Sequence, residues 1–223
     1  MYENDVKIDN KMRTIISRDW LKEFPSYKKI RPQAWKKRVG PLSFNMGYDV
    51  DWGTNVKIGF SIFNLSNPRD FMSATIPLEP KSRRYSITWK QHEEGKYKEA
   101  VEELQQLSII PIEGPAKLSQ VIEAYQSYPK LKYESSPRYF EDPALIAAWA
   151  GKTELAKKLL DWGSAWYEIR FCKRSDMIKT DEWYQSMLAK ISDPEGLRKT
   201  VEDQVVFHKL TKLPYEELII DMD

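Results

Sequence analysis

Apolar and polar side chains alternate strictly over residues 42–50, where Leu42, Phe44, Met46, Tyr48 and Val50 are separated by Ser43, Asn45, Gly47 and Asp49. The alternation resumes beyond Asp51-Trp52-Gly53-Thr54, with Val56, Ile58, Phe60 and Ile62 divided by Lys57, Gly59 and Ser61. A period of two over neighbouring runs predicts an antiparallel hairpin with one buried face. The same pattern predicts its register. A connection from Asp51 to Asn55 sets Val50 opposite Val56, Tyr48 opposite Ile58, Met46 opposite Phe60 and Phe44 opposite Ile62. It also places Asp49 across from Lys57, an attractive pair. A two-residue Trp52-Gly53 turn would put the two apolar rows on opposite faces and expose one of them, so the longer connection is expected.

Two more extended pieces, 71–77 and 84–90, complete an expected sheet of about four strands in meander order, wet on one face. Residues 11–24 read as a helix, with Ile15 or Ile16, Trp20 or Leu21, and Phe24 at three- to four-residue spacing and Pro25 as its stop. The basic segment 27–41, broken by Pro32 and Gly40-Pro41, is assigned no strand. After Trp89 the spacing becomes helical. Tyr97, Val101, Leu104 and Leu107 share one face, and Leu118, Val121, Ile122, Tyr125 and Tyr128 make a second stripe. The proline-spaced segment 127–143 is a candidate subdomain boundary. Asp142 reads as an N-cap before Pro143, with Gly151 ending that helix, and Thr153 opens another that Gly163 stops. Residues 166–172 read as one more strand. Trp183, Met187 and Ile191 then align on a helix, and Asp193-Pro194-Glu195 caps a last one carrying Leu197, Val201, Val205 and His208. The predicted fold class is α+β, an N-terminal antiparallel sheet followed by a mostly helical C-terminal half. Residues 1–91 hold a helix and the sheet, 92–223 are mainly helical, and the two are expected to form one compact unit.

Residues 142–164 resemble a single ankyrin-type repeat, with Pro143, Ala147, Ala148, Gly151, Glu154, Leu159, Leu160 and Gly163 at that family's spacings. They lack its usual threonine and histidine, having Asp142 and Leu145 there, and no second copy is visible. A lone repeat buries too little surface to stand by itself, so a helical hairpin packed on the main core is expected.

The residues offer little for catalysis. One cysteine, Cys172, excludes an internal disulfide, and with only His92 and His208 beside it no zinc motif can be written. Gly-rich phosphate loops, a G-x-S-x-G elbow and H-E-x-x-H are all absent. Adjacent acids such as Glu93-Glu94 and Glu102-Glu103 point apart on a helix. No catalytic, cofactor-binding or metal-binding residue is assigned, no cofactor is expected, and an enzyme ranks third among the readings. No apolar run approaches the roughly 18–20 residues of a membrane span. The start of the chain lacks the apolar core of a signal peptide, so a cytoplasmic protein without membrane contact is expected.

Charge changes the picture more. A net charge of +2 conceals a basic N-terminal segment and an acidic C-terminal third. With eight tryptophans and twelve tyrosines to supply contacts, a protein-binding module is the leading expectation. Trp52 at the hairpin tip is the expected contact residue, with Asp181, Glu182, Glu202 and Asp203 as an acidic surface for a basic partner. The alternative is nucleic-acid binding through residues 28–38, with Trp35 for stacking and Lys36, Lys37 and Arg38 for phosphates. The layout of GPLSFNMGYDVDW, KIGFSIFNL and EDPALIAAWAG resembles small bacterial proteins encoded in toxin–immunity gene clusters. That resemblance implies a non-enzymatic protein that binds and blocks a partner toxin, and it carries over no catalytic residues.

Overall fold

The fold is that of a computed structural model, which describes residues 6–70, 76–78, 86–127, 136–171 and 178–222. The expectations for residues 71–75, Tyr85, Tyr128 and Cys172 lie outside these residues. The hairpin forms as β3 (Leu42–Asp51) and β4 (Asn55–Asn64), with Val50 opposite Val56, Tyr48 opposite Ile58, Met46 opposite Phe60 and Phe44 opposite Ile62. The buried row lies on one face. Phe44 and Phe60 meet edge to face across it, ring centres 5.4 Å apart.

The basic segment is itself a hairpin, which corrects the sequence reading. β1 (Lys28–Arg31) and β2 (Ala34–Val39) flank Pro32-Gln33, and β2 pairs antiparallel with β3. Trp35, Lys37 and Val39 point into the core, while Ala34, Lys36 and Arg38 are half-buried on the other face. A lysine at the middle inward position hides the period of two. Its ammonium sits over the rings of Tyr27 (5.1 Å) and Phe44 (5.6 Å) and donates to both carboxylate oxygens of Glu216 at 3.1 Å.

Among the described residues the sheet has seven strands, and its order departs from the expected meander. β5 (Ile76–Leu78) and β6 (Ser86–Thr88) share the far edge of β4, along Phe60–Ile62 and Asn55–Lys57 respectively. β7 (Tyr215–Glu216) pairs parallel with Arg38 and Val39. Beyond it, Leu118 N–H donates to the Ile219 carbonyl at 2.8 Å, and Asp221 accepts from the Ser119 amide and hydroxyl. The end of the chain thus runs from the sheet to the helical half.

The first helix, α1 (Asn10–Glu23), covers part of the sheet's inner face. Asp9 caps it by accepting from the Met12 amide at 2.8 Å. Ile16 and Trp20 are buried, Ser17 bonds the Pro32 carbonyl, and the Tyr48 hydroxyl donates to the Arg13 carbonyl at 2.9 Å. The helical half comprises α2 (Trp89–Glu93), α3 (Tyr97–Leu107), α4 (Leu118–Ser127), α5 (Arg138–Trp149), α6 (Thr153–Phe171), α7 (Thr180–Ile191) and α8 (Pro194–Phe207). One apolar cluster runs from Ile8 and the hairpin through α3–α7 to Leu218.

Three local expectations change here. Asp142 is not a cap: α5 starts a turn earlier, at Arg138, and Asp142 is wholly buried inside it beside Pro143. Gly163 does not stop α6, and residues 166–171 are its last turns rather than a strand. Leu160, Gly163, Tyr167 and Phe171 are three or four apart and all buried, which is helical spacing that alternation in WYEIRF mimics. A methyl group on Gly163 would lie 2.7 Å from the Phe140 carbonyl oxygen, so the glycine is there to let α5 and α6 touch.

Candidate functional site

The hairpin tip is built to present one side chain. Thr54 N–H donates to the Asp51 carbonyl at 3.1 Å, and both residues between have left-handed backbone, Trp52 at φ 51° and Gly53 at φ 79°. Two positive φ values in succession are the mark of the mirror-image turns that suit the twist of paired strands. Glycine accepts this conformation freely, whereas for a bulky L residue it costs roughly 1–2 kcal/mol. Trp52 is nonetheless 95% exposed, with no burial to offset that cost. The turn is braced from below. Ile8, itself buried, donates its N–H to the Gly53 carbonyl at 2.7 Å, and the next residue, Asp9, caps α1. The indole therefore projects from a turn fixed to both a strand pair and a helix.

The acidic residues lie elsewhere. Asp181 and Glu182 are exposed in the first turn of α7, where the neighbouring Trp183 donates from Nε1 to Glu141 of α5 at 3.0 Å. Glu202 and Asp203 are exposed on α8, whose inner residues Val201 and Val205 pack with Phe63 and Leu65 at the end of the hairpin away from its turn. Phe63 is eleven residues from Trp52 along one strand, roughly 35 Å at about 3.3 Å per residue. The four acids thus gather at the end of the sheet opposite the tip. One turn above Glu202 and Asp203, Val206 and Phe207 are 67% and 57% exposed. The sequence signal for them is the run Val205-Val206-Phe207: with Val205 turned inward, its two apolar neighbours on a helix must face water.

Beneath those acids lies a buried polar network. Asn67 Nδ2 donates to Glu141 Oε2 (3.0 Å) and Asp142 Oδ1 (2.9 Å), and the Tyr125 hydroxyl donates to Asp142 Oδ2 (3.0 Å). The Arg69 guanidinium is 3.9 Å from the same oxygen. Burial raises Asp142 to about 6, against the lowering pull of Asn67 and Arg69. With Asp142 fully buried, this network joins elements to one another and offers nothing to a ligand.

Of the four basic-segment residues, Trp35 and Lys37 are inside the fold. Trp35 packs on Tyr48 at 5.9 Å between ring centres, so as placed it presents no face for stacking, and Lys37 is committed to Glu216. Lys36 and Arg38 emerge on the outer face of the sheet.

A cleft of about 360 Å³ lies where α1 meets α2 and α3, lined by Ile15, Asp19, Trp89, His92, Glu93, Gly95, Tyr97 and Lys98. The His92 ring is stacked between Trp89 (5.7 Å) and Tyr97 (4.7 Å), with Nε2 3.4 Å from Asp19 Oδ2. Burial lowers the His92 pKa despite Asp19, so the imidazole is neutral near pH 7. Burial pushes Asp19 up, but Arg18, His92 and Lys22 together outweigh it and hold the carboxyl below its usual range. Among the described residues no hydroxyl of serine or threonine and no thiol lines the cleft, so the His–Asp pair has no such nucleophile beside it. Among the same residues no group of three His, Cys, Asp or Glu side chains is placed to hold a metal ion. Nor is any helix among them long and apolar enough to cross a membrane.

The fold and these surfaces define an α+β protein with an N-terminal antiparallel sheet and a mostly helical C-terminal half. Comparison with protein-family models, curated proteins and solved structures returned no match.

Proposed function

We propose that this chain is a protein-binding module that engages its partner through the hairpin tip. The observation that carries the reading is Trp52, fully presented to solvent on a left-handed backbone that an asparagine or glycine would occupy at lower cost. Strain kept at an exposed aromatic is accounted for when the side chain has a use outside the fold. A tryptophan held this way desolvates a large contact area while losing little entropy, because the turn is already ordered. The acids Asp181, Glu182, Glu202 and Asp203 lie too far from the tip to share one small contact. Their role is to draw in a basic partner by long-range attraction, which acts on the association rate. An immunity-type inhibitor of a toxin is the form of this reading that the sequence resemblance suggests.

The test begins with co-purification of the chain and the product of its neighbouring gene, followed by binding kinetics. Trp52→Ala is expected to leave association unchanged and to accelerate dissociation, costing at least about 2 kcal/mol for a hot-spot residue. Charge reversal at the four acids is expected to slow association and flatten its salt dependence. A folded Trp52→Ala protein with unchanged dissociation removes the tip from the binding site.

A further inference from the structure

The outer face of the sheet gathers cations from distant parts of the chain. Lys36 and Arg38, alternate residues of β2, emerge side by side at about 6.6 Å spacing along the strand. Lys28 of β1 is the cross-strand partner of Lys36, and Arg31 is close enough to Lys36 to add its repulsion to the effect of burial. On the other side Arg38 is paired with Tyr215, its guanidinium carbon 5.0 Å from the ring centre. Lys28 Nζ also donates to the Lys212 carbonyl at 3.0 Å, across 184 positions of sequence, which brings Lys212 to the same edge. Three acids border the group: Glu216 faces inward on Lys37, Glu217 accepts from the Tyr215 hydroxyl at 3.0 Å, and Asp70 acts on His208, so the cations along β1 and β2 outnumber them.

Exposed rings flank these cations. Tyr215 is 47% exposed beside Arg38. The row continues from Arg38 through Ser43 to Phe63, both buried, with Val205 and Leu210 packed on Phe63; there the His208 ring lies edge-on at 5.5 Å and the exposed Phe207 stands beside it. In the adjoining rows Asn45 faces Ser61 and Gly47 faces Gly59, and a side chain at Gly59 would enter open space. The open part of the face, over Asn45, Ser61, Gly47 and Gly59, is low in relief and cationic along β1 and β2, with Tyr215 beside Arg38 and the end of α8 standing over the Ser43–Phe63 row.

We propose that this outer sheet face binds single-stranded nucleic acid, with Lys28, Arg31, Lys36, Arg38 and Lys212 on the phosphates and Tyr215 stacking on a base. An acidic peptide would satisfy the cations but leave the rings unused, and a duplex keeps its bases out of their reach. The surface excludes Trp35, Lys37 and Trp52, so it stands or falls independently of the hairpin tip.

Fluorescence anisotropy of a labelled oligo-dT or oligo-U with the full chain, titrated at several salt concentrations, tests it. The triple variant Lys28→Glu/Arg31→Glu/Lys212→Glu is expected to bind at least tenfold more weakly. Its slope of log affinity against log salt should be shallower by about 2, near 0.7 for each phosphate that the variant no longer neutralises. Tyr215→Leu, which keeps an apolar side chain against Arg38, is expected to lose at least about fivefold in affinity with the slope unchanged. The pair Lys157→Glu/Lys158→Glu, exposed on α6, controls for overall charge and should not affect binding. Thermal unfolding confirms that each variant is folded. Absence of salt-dependent binding at about 50 mM salt overturns the proposal. It is equally overturned if polyglutamate competes as well as the oligonucleotide, or if folded Tyr215→Leu binds undiminished, because the face then reads charge alone.

Discussion

Trp52 combines the side chain of a contact residue with the backbone of a turn asparagine. Trp52→Asn is therefore expected to stabilise the fold by about 1 kcal/mol in chemical denaturation, by relieving the left-handed strain, while weakening partner binding. A loss of stability instead would mean that the indole braces the hairpin. Lys37 gives the opposite case, a charge inside the fold. Removing its partner with Glu216→Ala should cost about 2–3 kcal/mol, less than for a fully buried pair because Glu216 is partly exposed. Lys37→Met, which removes the charge itself, should be near neutral. Equal losses in the two variants would show that the ion pair itself stabilises the fold, rather than Glu216 only compensating a buried charge. Asp142 supplies the pH dependence. Its folded pKa of about 6 lies above the usual 3.8, so the native state holds this proton more tightly than the unfolded chain. The stability linked to it is fully present below about pH 4 and is lost as pH rises through 6. Facing groups Asn67, Arg69, Glu141 and Tyr125 are all part of the same network, so Asp142→Asn will shift the baseline. The diagnostic is the slope: urea denaturation between about pH 4 and 7 should show the wild type gaining on the variant as pH falls.

At the scale of elements, strands with an unbroken apolar row were legible in the sequence, down to the register of β3 against β4. β2 was not, because its inward row reads Trp35-Lys37-Val39, and it takes Glu216, 179 positions away, together with the Tyr27 and Phe44 rings to accommodate a lysine there. Long-range compensation of this kind leaves no local trace. The turn tip was legible because Trp52-Gly53 lies outside both apolar rows. The outer cationic face was half legible, since Lys36 and Arg38 belong to a visible basic run but Lys212 and Tyr215 reach it only through the β7 pairing. Gly163 shows the reverse error, a residue with a strong local meaning as a stop that tertiary packing overrules. Gly163→Ala tests that account. Helix propensity alone favours alanine by about 1 kcal/mol. Overpacking against the Phe140 backbone carbonyl, which cannot move aside like a flexible side chain, costs roughly 1–3 kcal/mol and should prevail. Net stabilisation on denaturation would mean that α5 and α6 separate easily.

Across the whole molecule, the hairpin tip and the outer face occupy different regions of one sheet, while the acids lie on the helices α7 and α8. Tip variants should therefore leave oligonucleotide anisotropy unchanged, and outer-face variants should leave partner dissociation unchanged; coupling between the two readouts would mean that a single extended surface is involved. The strand β7 ties residues 215–216 to β2, with a consequence for how the chain is made. Lys37 and Glu216 are 179 positions apart. At roughly 5–20 residues per second, about ten to thirty-five seconds pass on the ribosome between the appearance of the lysine and that of its carboxylate. Through that interval the nascent sheet has an ammonium on its apolar face and an open edge on β2 where β7 will pair. The hairpin can form early, but its inner face cannot close in final form until residues 215–222 have emerged. Newly made chains should accordingly stay protease-sensitive until residues 215–222 have emerged, then become resistant in a single step.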